Sequence, residues 1–553
     1  LYVEWSSNEK VALEAAAAAS FAGCRALSSM KQNGVNVVSD FLTNLSLSGT
    51  KGGLVLVTCD DPSSISSTNE EDARVFSQIS DIPLLEPSTP QEALEMTRWA
   101  FELSETIRNI VMLRSVSRLS HTRADVRIGD IPVTKTRPYF DPAKPFHTFP
   151  TVLKHQKRHE KLRRAEALFE SSPFNRYDGP AQPDLLVIAT GCAWNYSMES
   201  IELLGLRERV GLLKLGTTWP LPRKLVTEYL KMCDRILFAE DVDPFVENSV
   251  KALAADLGGE IGVKEFLGKA SGHIPDTGEL SPGVLLHVLG RTFDIPWEKN
   301  DYRNRVSEMI KGTVPPREFG FCPGCPHRGS YYAIKTALAW DNRDGFVSGD
   351  IGCYTLGVYE PLSALDTCAC MGASIGQALG MEKAGMRNPA VAVLGDSTFM
   401  HSGITPLADI VYKRGRTTVI VLDNQTTAMT GHQGHPGTGV SVTGEQGPRV
   451  DLEALCRGIG VRDVSVVSAH DLQAIEQAIK RSVAADEPSV VIVRGPCVLR
   501  EKVRWTPRRV NEDLCVECYE CLSVGCPAIS ALDGAVRIDA AVCVGSVSYT
   551  HLT

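Results

Sequence analysis

The sequence predicts an α/β chain built of several doubly wound units, closed by a small cysteine-rich domain at the C-terminal end. Three observations carry that prediction. Apolar strand-length runs recur between helix-length amphipathic stretches, the alternation expected of βαβ units. Two of those runs end on Gly-Asp and on Asp-Asn and are joined by one helix-like stretch, so polar side chains emerge at the carboxyl ends of parallel strands. Four of the chain's 16 cysteines crowd into residues 515–526.

The elements follow in order. In residues 1–130, "NEKVALEAAAAASFAGCRALSSM" reads as one helix and "GGLVLVTCDD" (52–61) as an apolar strand entering an Asp-Asp-Pro turn. "PQEALEMTRWAFELSETI" reads as a helix, followed by the strand "NIVMLRS". Residues 131–182, rich in proline and basic residues, read as a linker; "KHQKRHEKLRR" (154–164) within it reads as a solvated helix face. A second α/β block at 183–275 holds the strands "DLLVIAT", "RVGLLKLG" and "RILFAED". A third, at 315–500, is organised around "AVAVLGDSTF" and "TTVIVLDNQTT", and residues 505–545 form the cysteine-rich end.

Bulk properties narrow the function. With 553 residues, 43% hydrophobic and 22% charged, the chain has ordinary globular composition. Its length corresponds to roughly three to five domains. A net charge of −9 argues against a nucleic-acid partner. No apolar run approaches the ~20 residues of a membrane span, so no membrane association is expected. The Ala-rich stretch 11–23 is interrupted by Glu14 and Ser20, lacks a basic leader, and reads as a buried amphipathic helix, not a signal peptide. Sixteen cysteines without a secretory pattern point to metal or redox chemistry in a reducing compartment, the cytoplasm. The start at Leu1 reads as mid-domain, and the tail "SVSYTHLT" is unlike what precedes it, so the chain reads as a fragment at both ends.

The strongest catalytic signal lies in the third block. Asp396 follows one strand and Asn424 the next, and both are hard oxygen ligands suited to Mg²⁺ held against a diphosphate. Gly395 would let the backbone approach the phosphates. Ordinary turns capped by Asp and Asn are the bland alternative; the pairing at one crossover's spacing outweighs it.

These residues carry a resemblance. Gly395-Asp396-Ser397, about twenty-six further residues and then Asn424 resemble the thiamine-diphosphate motif. With "EWSSNEKVALEAA", "CPGCPHRG", "GDIGCYTLG", "DNQTTAMTGHQGHPGTG" and the C-terminal cysteine run, nearly the whole chain resembles the 2-oxoacid:ferredoxin oxidoreductases, in particular the alpha subunits acting on indolepyruvate. The resemblance implies a thiamine-diphosphate pyrimidine domain (1–130), a transketolase-C-like domain (183–275), a diphosphate and Mg²⁺ domain (315–500) and a ferredoxin-like iron–sulfur domain (505–545). It implies Mg²⁺ ligation by Asp396, Asn424 and the Thr426 carbonyl, with Gly395, Ser397 and the 425–430 loop lining the diphosphate. His327 would touch cofactor or substrate. Glu9 would be the carboxylate that activates the aminopyrimidine, although from sequence alone it reads as a first-turn glutamate; Glu4 and Glu14 fit less well. Gly372, Gly376 and Gly380 would form a helix face allowing close packing beneath the cofactor. The implied reaction is oxidative decarboxylation of aryl 2-oxoacids with coenzyme A, passing electrons to ferredoxin, in complex with a smaller beta subunit. A different 2-oxoacid, or a non-redox thiamine-dependent decarboxylase or carboligase, stays open. The family's upstream substrate loop falls before Leu1.

Cys322, Cys325, Cys353 and Cys497 stand where related oxidoreductases hold a proximal [4Fe–4S] cluster; a zinc site or simple packing are alternatives. The run Cys515, Cys518, Cys521, Cys526-Pro527 is close to the bacterial ferredoxin pattern, with one extra residue before the last cysteine. In two-cluster ferredoxins the fourth cysteine serves the other cluster. Cys543 opens a second run, but Ser546 stands where its next cysteine is expected. Cys24, Cys59, Cys192, Cys233 and Cys456 read as small buried hydrophobes.

Overall fold

The computed structural model describes residues 1–130, 136–296, 302–311, 313, 319–502, 505–532 and 534–546. Residues 131–135 of the expected linker and the tail beyond Ser546 lie outside the described residues. The chain forms two compact units, one spanning Asn8–Lys311, the other comprising residues 312 onward with Leu1–Ser7.

Among the described residues the first unit carries ten strands: β1 (Ala26–Lys31), β2 (Leu54–Asp60), β3 (Leu84–Leu85), β4 (Val111–Val116), β5 (Arg176–Asp178), β6 (Leu185–Thr190), β7 (Val210–Leu215), β8 (Thr217–Trp219), β9 (Arg235–Ala239) and β10 (Glu265–Leu267). They form two sheets, ordered β1-β2-β4-β3-β8 and β10-β9-β6-β7-β5. Each is parallel except at one edge, where β8 runs antiparallel to β3 and β5 antiparallel to β7. The chain crosses from one sheet to the other between β7 and β8, across Gly216 alone. A Cβ there would lie 2.7 Å from both the Met96 side chain and the Phe174 carbonyl, so the crossing needs glycine.

The first predicted helix is shorter than expected. It runs Glu9–Phe21, and Ala26–Lys31 becomes the edge strand β1, paired in parallel with β2 from Ala26↔Leu54 to Lys31↔Cys59. Gly23 breaks the helix at φ 91°, and Ser28 and Met30 are buried with a strand's period of two. The helix Pro90–Ile107 and the strands β2, β4, β6, β7, β9 form where the periodicity places them. The 131–182 stretch holds a long helix, Thr151–Phe169, which buries Arg158, Ala165 and Phe169 and leaves Lys157, Arg163 and Arg164 exposed.

Beyond the carboxyl ends of β2, β4 and β9 lies a buried ionic network. Arg74 pairs with Asp72 at 2.5 Å and Glu240 at 2.7 Å; Arg114 pairs with Asp60 at 2.6 Å and Glu86 at 2.9 Å. Burial raises the carboxyls of Asp60 and Glu240, while the Arg74 and Arg114 charges hold Asp72 down at about 2 against the pull of its own burial. Because Glu240 follows β9 while Asp60 and Arg114 belong to β2 and β4, the network joins the two sheets of this unit.

The second unit is organised on one sheet of six strands: β11 (Phe346–Gly349), β12 (Thr367–Cys368), β13 (Ala390–Gly395), β14 (Thr418–Asp423), β15 (Asp463–Ser468) and β16 (Ser489–Arg494). The order is β12-β11-β13-β14-β16-β15, with every pairing parallel. β13 and β14 are buried at every residue, which explains their unbroken apolar runs. The helices Pro326–Asp341 and Leu472–Ala484 pack on each other, and Ala373–Lys383 packs on β13 and β11. A short antiparallel hairpin, β17 (Ile529–Leu532) and β18 (Ala535–Ile538), follows the cysteine run.

Candidate active site

All six strands of the second unit's large sheet point their carboxyl ends the same way, so the residues just past β11, β13, β14 and β16 meet on one edge. These are Asp350, Asp396, Asn424 and Cys497. In open parallel sheets this is the edge that binds ligands.

Asp396 is 2% exposed and Asn424 7%, although both are polar. The Asp396 carboxylate lies 3.1 Å from His435 Nε2. Asn424 Oδ1 accepts from the Thr426 N–H at 3.2 Å, and its Nδ2 lies 3.3 Å from His327 Nε2. His327 is therefore an acceptor at Nε2 and carries its proton at Nδ1. Burial alone lowers it to about 4, so the ring is neutral near pH 7. Between Asn424 and Thr426, Gln425 is held at φ 61°, a conformation a non-glycine residue adopts only when its surroundings impose it. Thr426 Oγ1 is buried without a hydrogen-bond partner. Ser397 and Thr427 hydroxyls are 2.7 Å apart, tying the first turn of the site to the second.

Several neighbours were given no role by the sequence. Asp423 is buried, donated to by Arg494 Nε at 2.7 Å, and raised first by burial and then by the Asp396 charge. The site thus holds two buried carboxylates side by side, a pair that a divalent cation would relieve. Asp350 accepts from the N–H groups of Gly372 at 2.9 Å and Ser374 at 3.1 Å, capping the helix Ala373–Lys383 from another strand. His435 comes from the Gly-rich loop after β14. "GDIGC" and "GHPG" were the available cues, but neither pattern says which backbone or carboxylate it meets.

Two glycine expectations change. A Cβ on Gly395 would lie 2.6 Å from the Tyr354 ring, whose hydroxyl bonds Thr398 Oγ1 at 2.7 Å. Gly395 is therefore required by the tyrosine packed against it. Gly376 and Gly380 lie exposed, with nothing within 4 Å of an added Cβ, so the expected close-packed glycine face does not form. The helix buries Ser374, Ile375, Ala378 and Leu379 instead.

Cys322, Cys325, Cys353 and Cys497 gather at the same edge. Burial raises the Cys322 thiol and Cys497 adds to it; burial, then Cys322 and Cys497, raise Cys353 to about 11; burial raises Cys325 to about 12, with Cys322 and Cys353 contributing. The Cys497 N–H donates to the Asn424 carbonyl at 3.1 Å, fixing it beside the polar site. In the C-terminal run, Cys515 and Cys518 act on the Cys521 thiol, which burial raises, so these three also lie together. Cys526 accepts through its carbonyl from Ile529, and Cys543 Sγ accepts from the Gly545 N–H at 3.3 Å. Among the described residues no three cysteine sulfurs lie within 4.8 Å of one another. A tetrahedral zinc site would need about 3.8 Å between sulfurs, from Zn–S bonds of ~2.3 Å. Cys192, Cys233 and Cys456 are buried as expected, whereas Cys24 and Cys59 are half-buried.

In the first unit Glu9 opens the helix Glu9–Phe21, capped by Asn8 through a bond from the Val11 N–H at 2.9 Å. Its side chain lies over Gly34 of the neighbouring helix Gln32–Ser48, where an added Cβ would be 2.5 Å from Glu9 Cγ. Glu14 pairs with Lys10. Glu4 belongs to the other unit and accepts from the Val442 N–H at 3.1 Å. One further cluster, Asp81, His155 and His159, brings three ligand atoms within 4.8 Å. Arg158 already pairs with Asp81 at 2.6 Å on a strongly basic helix, so the cluster reads as an ion pair.

Comparison with known proteins agrees with this geometry. Residues 350–493 match the thiamine pyrophosphate enzyme family, C-terminal TPP binding domain. That span runs from Asp350 to the end of β16 and contains Asp396, Asn424 and Thr426. The match makes this span a thiamine pyrophosphate binding domain. The "Indolepyruvate oxidoreductase subunit IorA" of Methanothermobacter marburgensis is 39% identical over 99% of this chain and 88% of its own length. That of Archaeoglobus fulgidus is 38% identical over 98% of this chain and 87% of its own. The chain belongs to the indolepyruvate oxidoreductase subunit IorA family and is an oxidoreductase. A chain of the 2-oxoglutarate:ferredoxin oxidoreductase from Magnetococcus marinus aligns over 33% of this chain and 66% of its own, at TM-score 0.30 and 19% identity. Among the described residues no helix is long and apolar enough to cross a membrane.

Proposed function

We propose that this chain catalyses the oxidative decarboxylation of an aryl 2-oxoacid, indolepyruvate, with coenzyme A. The 2-oxoacid, coenzyme A and two oxidised ferredoxins give acyl-CoA, CO₂, a proton and two reduced ferredoxins. The observation that carries the reading is the buried polar edge of Asp396, Asn424, Thr426 and His327 in a family member whose relatives are named for indolepyruvate. A smaller beta subunit completes the enzyme in this reading. Sixteen free thiols fit a reducing compartment, the cytoplasm.

The residues fit thiamine diphosphate with Mg²⁺. Paired buried carboxylates, an amide oxygen and an unpartnered Thr426 hydroxyl form a donor set of hard oxygens. In this reading Asp396, Asn424 and the Thr426 carbonyl hold the metal, while Gly395, Ser397 and loop 425–430 receive the diphosphate. Bound thiamine diphosphate would supply the carbanion-stabilising chemistry that lets a 2-oxoacid lose CO₂. Neutral His327 contributes a hydrogen-bonding imidazole without a charge, next to Asn424. Glu9 is assigned the carboxylate that hydrogen-bonds the aminopyrimidine. The quartet Cys322, Cys325, Cys353 and Cys497 is assigned a proximal [4Fe–4S] cluster, because its sulfurs are neighbours yet spaced too widely for zinc. Cys515, Cys518, Cys521, Cys526 and Cys543 are assigned to ferredoxin-type clusters.

The test is a thiamine diphosphate titration at fixed Mg²⁺, followed by assays with indolepyruvate, coenzyme A and ferredoxin. Asp396→Asn removes a direct ligand and is expected to weaken cofactor binding by about 100-fold or more, since losing even an outer-shell partner costs about 10–100-fold. Unchanged binding in that variant, turnover that ignores ferredoxin, or turnover driven by NAD would each overturn the reading.

A further inference from the structure

Arg328 is 1% exposed, a buried cation with no carboxylate partner among its described contacts. Its guanidinium spends its donors on backbone carbonyls from two distant stretches of chain. Nη2 donates to Phe321 O at 2.5 Å and Cys322 O at 3.0 Å, the entry to the Cys322–Cys325 loop. Nη1 donates to Val524 O at 3.2 Å and also to Gly525 O, the residues just before Cys526. The Phe321 ring lies 5.6 Å from the guanidinium carbon. Nearly 200 residues of sequence separate the two loops, and this one side chain closes both.

The fit on the far side is equally specific. Gly525 sits at φ 61°, and a Cβ there would lie 2.7 Å from Pro361 Cδ. Gly324, inside the first cysteine loop, would meet Val544 Cγ2 at 2.3 Å, next to Cys543. Both ends of the C-terminal cysteine segment therefore rest on the diphosphate domain, one at Arg328 and Pro361, the other at Gly324. A buried arginine without an anion is costly unless its donors are satisfied. Here carbonyl oxygens of the two cysteine loops satisfy both Nη groups, while Nε is buried without a partner.

We propose that Arg328 is a positioning residue for electron transfer: it clamps the C-terminal cysteine run against the Cys322–Cys325 loop and fixes the gap across which electrons leave. The inference rests on the reading that both cysteine sets hold iron–sulfur clusters. One electron at a time leaves the cluster of Cys322, Cys325, Cys353 and Cys497 and arrives at that of the C-terminal run, with an external iron–sulfur protein as final acceptor. The guanidinium charge, shared by both loops, also favours the reduced, more negative state of either cluster.

The experiment uses the full chain with its partner subunit, reconstituted anaerobically, as wild type, Arg328→Lys, Arg328→Met and Gly525→Ala. Iron and sulfide content and thiamine diphosphate affinity are measured first. Cluster reduction after adding the 2-oxoacid and coenzyme A without external acceptor is then followed by rapid-freeze electron paramagnetic resonance, and each midpoint potential is titrated. Arg328→Met is expected to keep iron content and cofactor affinity. It should lower the midpoint potentials and slow arrival at the C-terminal cluster by about tenfold or more. Tenfold corresponds to about 1.4 kcal/mol of docking free energy, within reach when a charged donor's hydrogen bonds are lost. Arg328→Lys keeps the charge and is expected to restore the potentials but only part of the rate. Gly525→Ala keeps the Arg328 charge but presses the loop off Pro361, its Cβ coming within 3.6 Å of Arg328 Nη1, and is expected to slow the same step; it decides the matter if Arg328→Met does not fold. Unchanged arrival rates and potentials in iron-replete Arg328→Met, or an unchanged rate in Gly525→Ala, overturn the clamp. Wild type lacking iron at either set overturns the cluster reading itself, a result visible before any rate is taken.

Discussion

Replacing His327 with glutamine is expected to flatten the acid sensitivity of the second unit. His327 is fully enclosed, and burial lowers it from 6.5 to about 4. In the unfolded chain it titrates near its ordinary value, so below about pH 6.5 the unfolded state binds a proton that the folded state refuses. Stability from this group is therefore complete above pH 6.5, is lost as pH falls toward 4, and changes no further below that. Between pH 7 and pH 5 the loss integrates to about 2 kcal/mol. Protonation would also set an N–H at Nε2 against the Asn424 amide 3.3 Å away, removing its acceptor. Glutamine can offer Asn424 an acceptor oxygen and does not titrate. The assay is native-state hydrogen exchange of the helix Pro326–Asp341 at pH 7 and pH 5, corrected for intrinsic rates, because it reports this unit apart from the other. Wild type is expected to lose about 2 kcal/mol more protection than His327→Gln over that interval. Equal losses in the two proteins would refute the reasoning, since the ring would then be hydrated or already charged.

Two other substitutions probe the candidate site through glycine. Gly34→Ala places a Cβ 2.5 Å from Glu9 Cγ; the flexible side chain can yield, so unfolding midpoints should hold, while the role proposed for Glu9 requires turnover to fall by about 100-fold when its carboxylate is displaced by an ångström. Gly395→Ala drives a methyl to 2.6 Å from the Tyr354 ring, which should cost about 1–3 kcal/mol of stability, measured by urea unfolding; in a Tyr354→Ala background the same substitution should cost less.

How much of this could be read from the chain itself depends on the range of the physics involved. β13 and β14 were legible because fully buried parallel strands need unbroken apolar runs, and the polar residues that end them needed only a sheet edge to become a site. Glu9 was legible as a helix start, while its contact with Gly34 was not, since nothing local records which helix packs beside it. The run at Ala26–Lys31 misled because alanine, leucine and methionine favour helices, and its pairing with β2 overrode that preference. Asp350, His435, Asp423 and Arg328 were silent for one shared reason: each acts on a backbone or side chain far along the sequence. Gly376 and Gly380 had the right spacing for a packed face, but spacing does not say which side of a helix meets the core.

The passage from β7 to β8 across a single glycine has a bearing on how this polypeptide can be taken apart. Strand β8 completes the sheet begun by β1, yet it is encoded after most of the other sheet. A gene cut near residue 182, where composition invites a boundary, would leave the upstream product missing its last strand and the downstream product displaying it with nothing to pair. Recombination, truncation or modular redesign must therefore carry residues 8–311 as one cassette, whatever their ancestry as two folds.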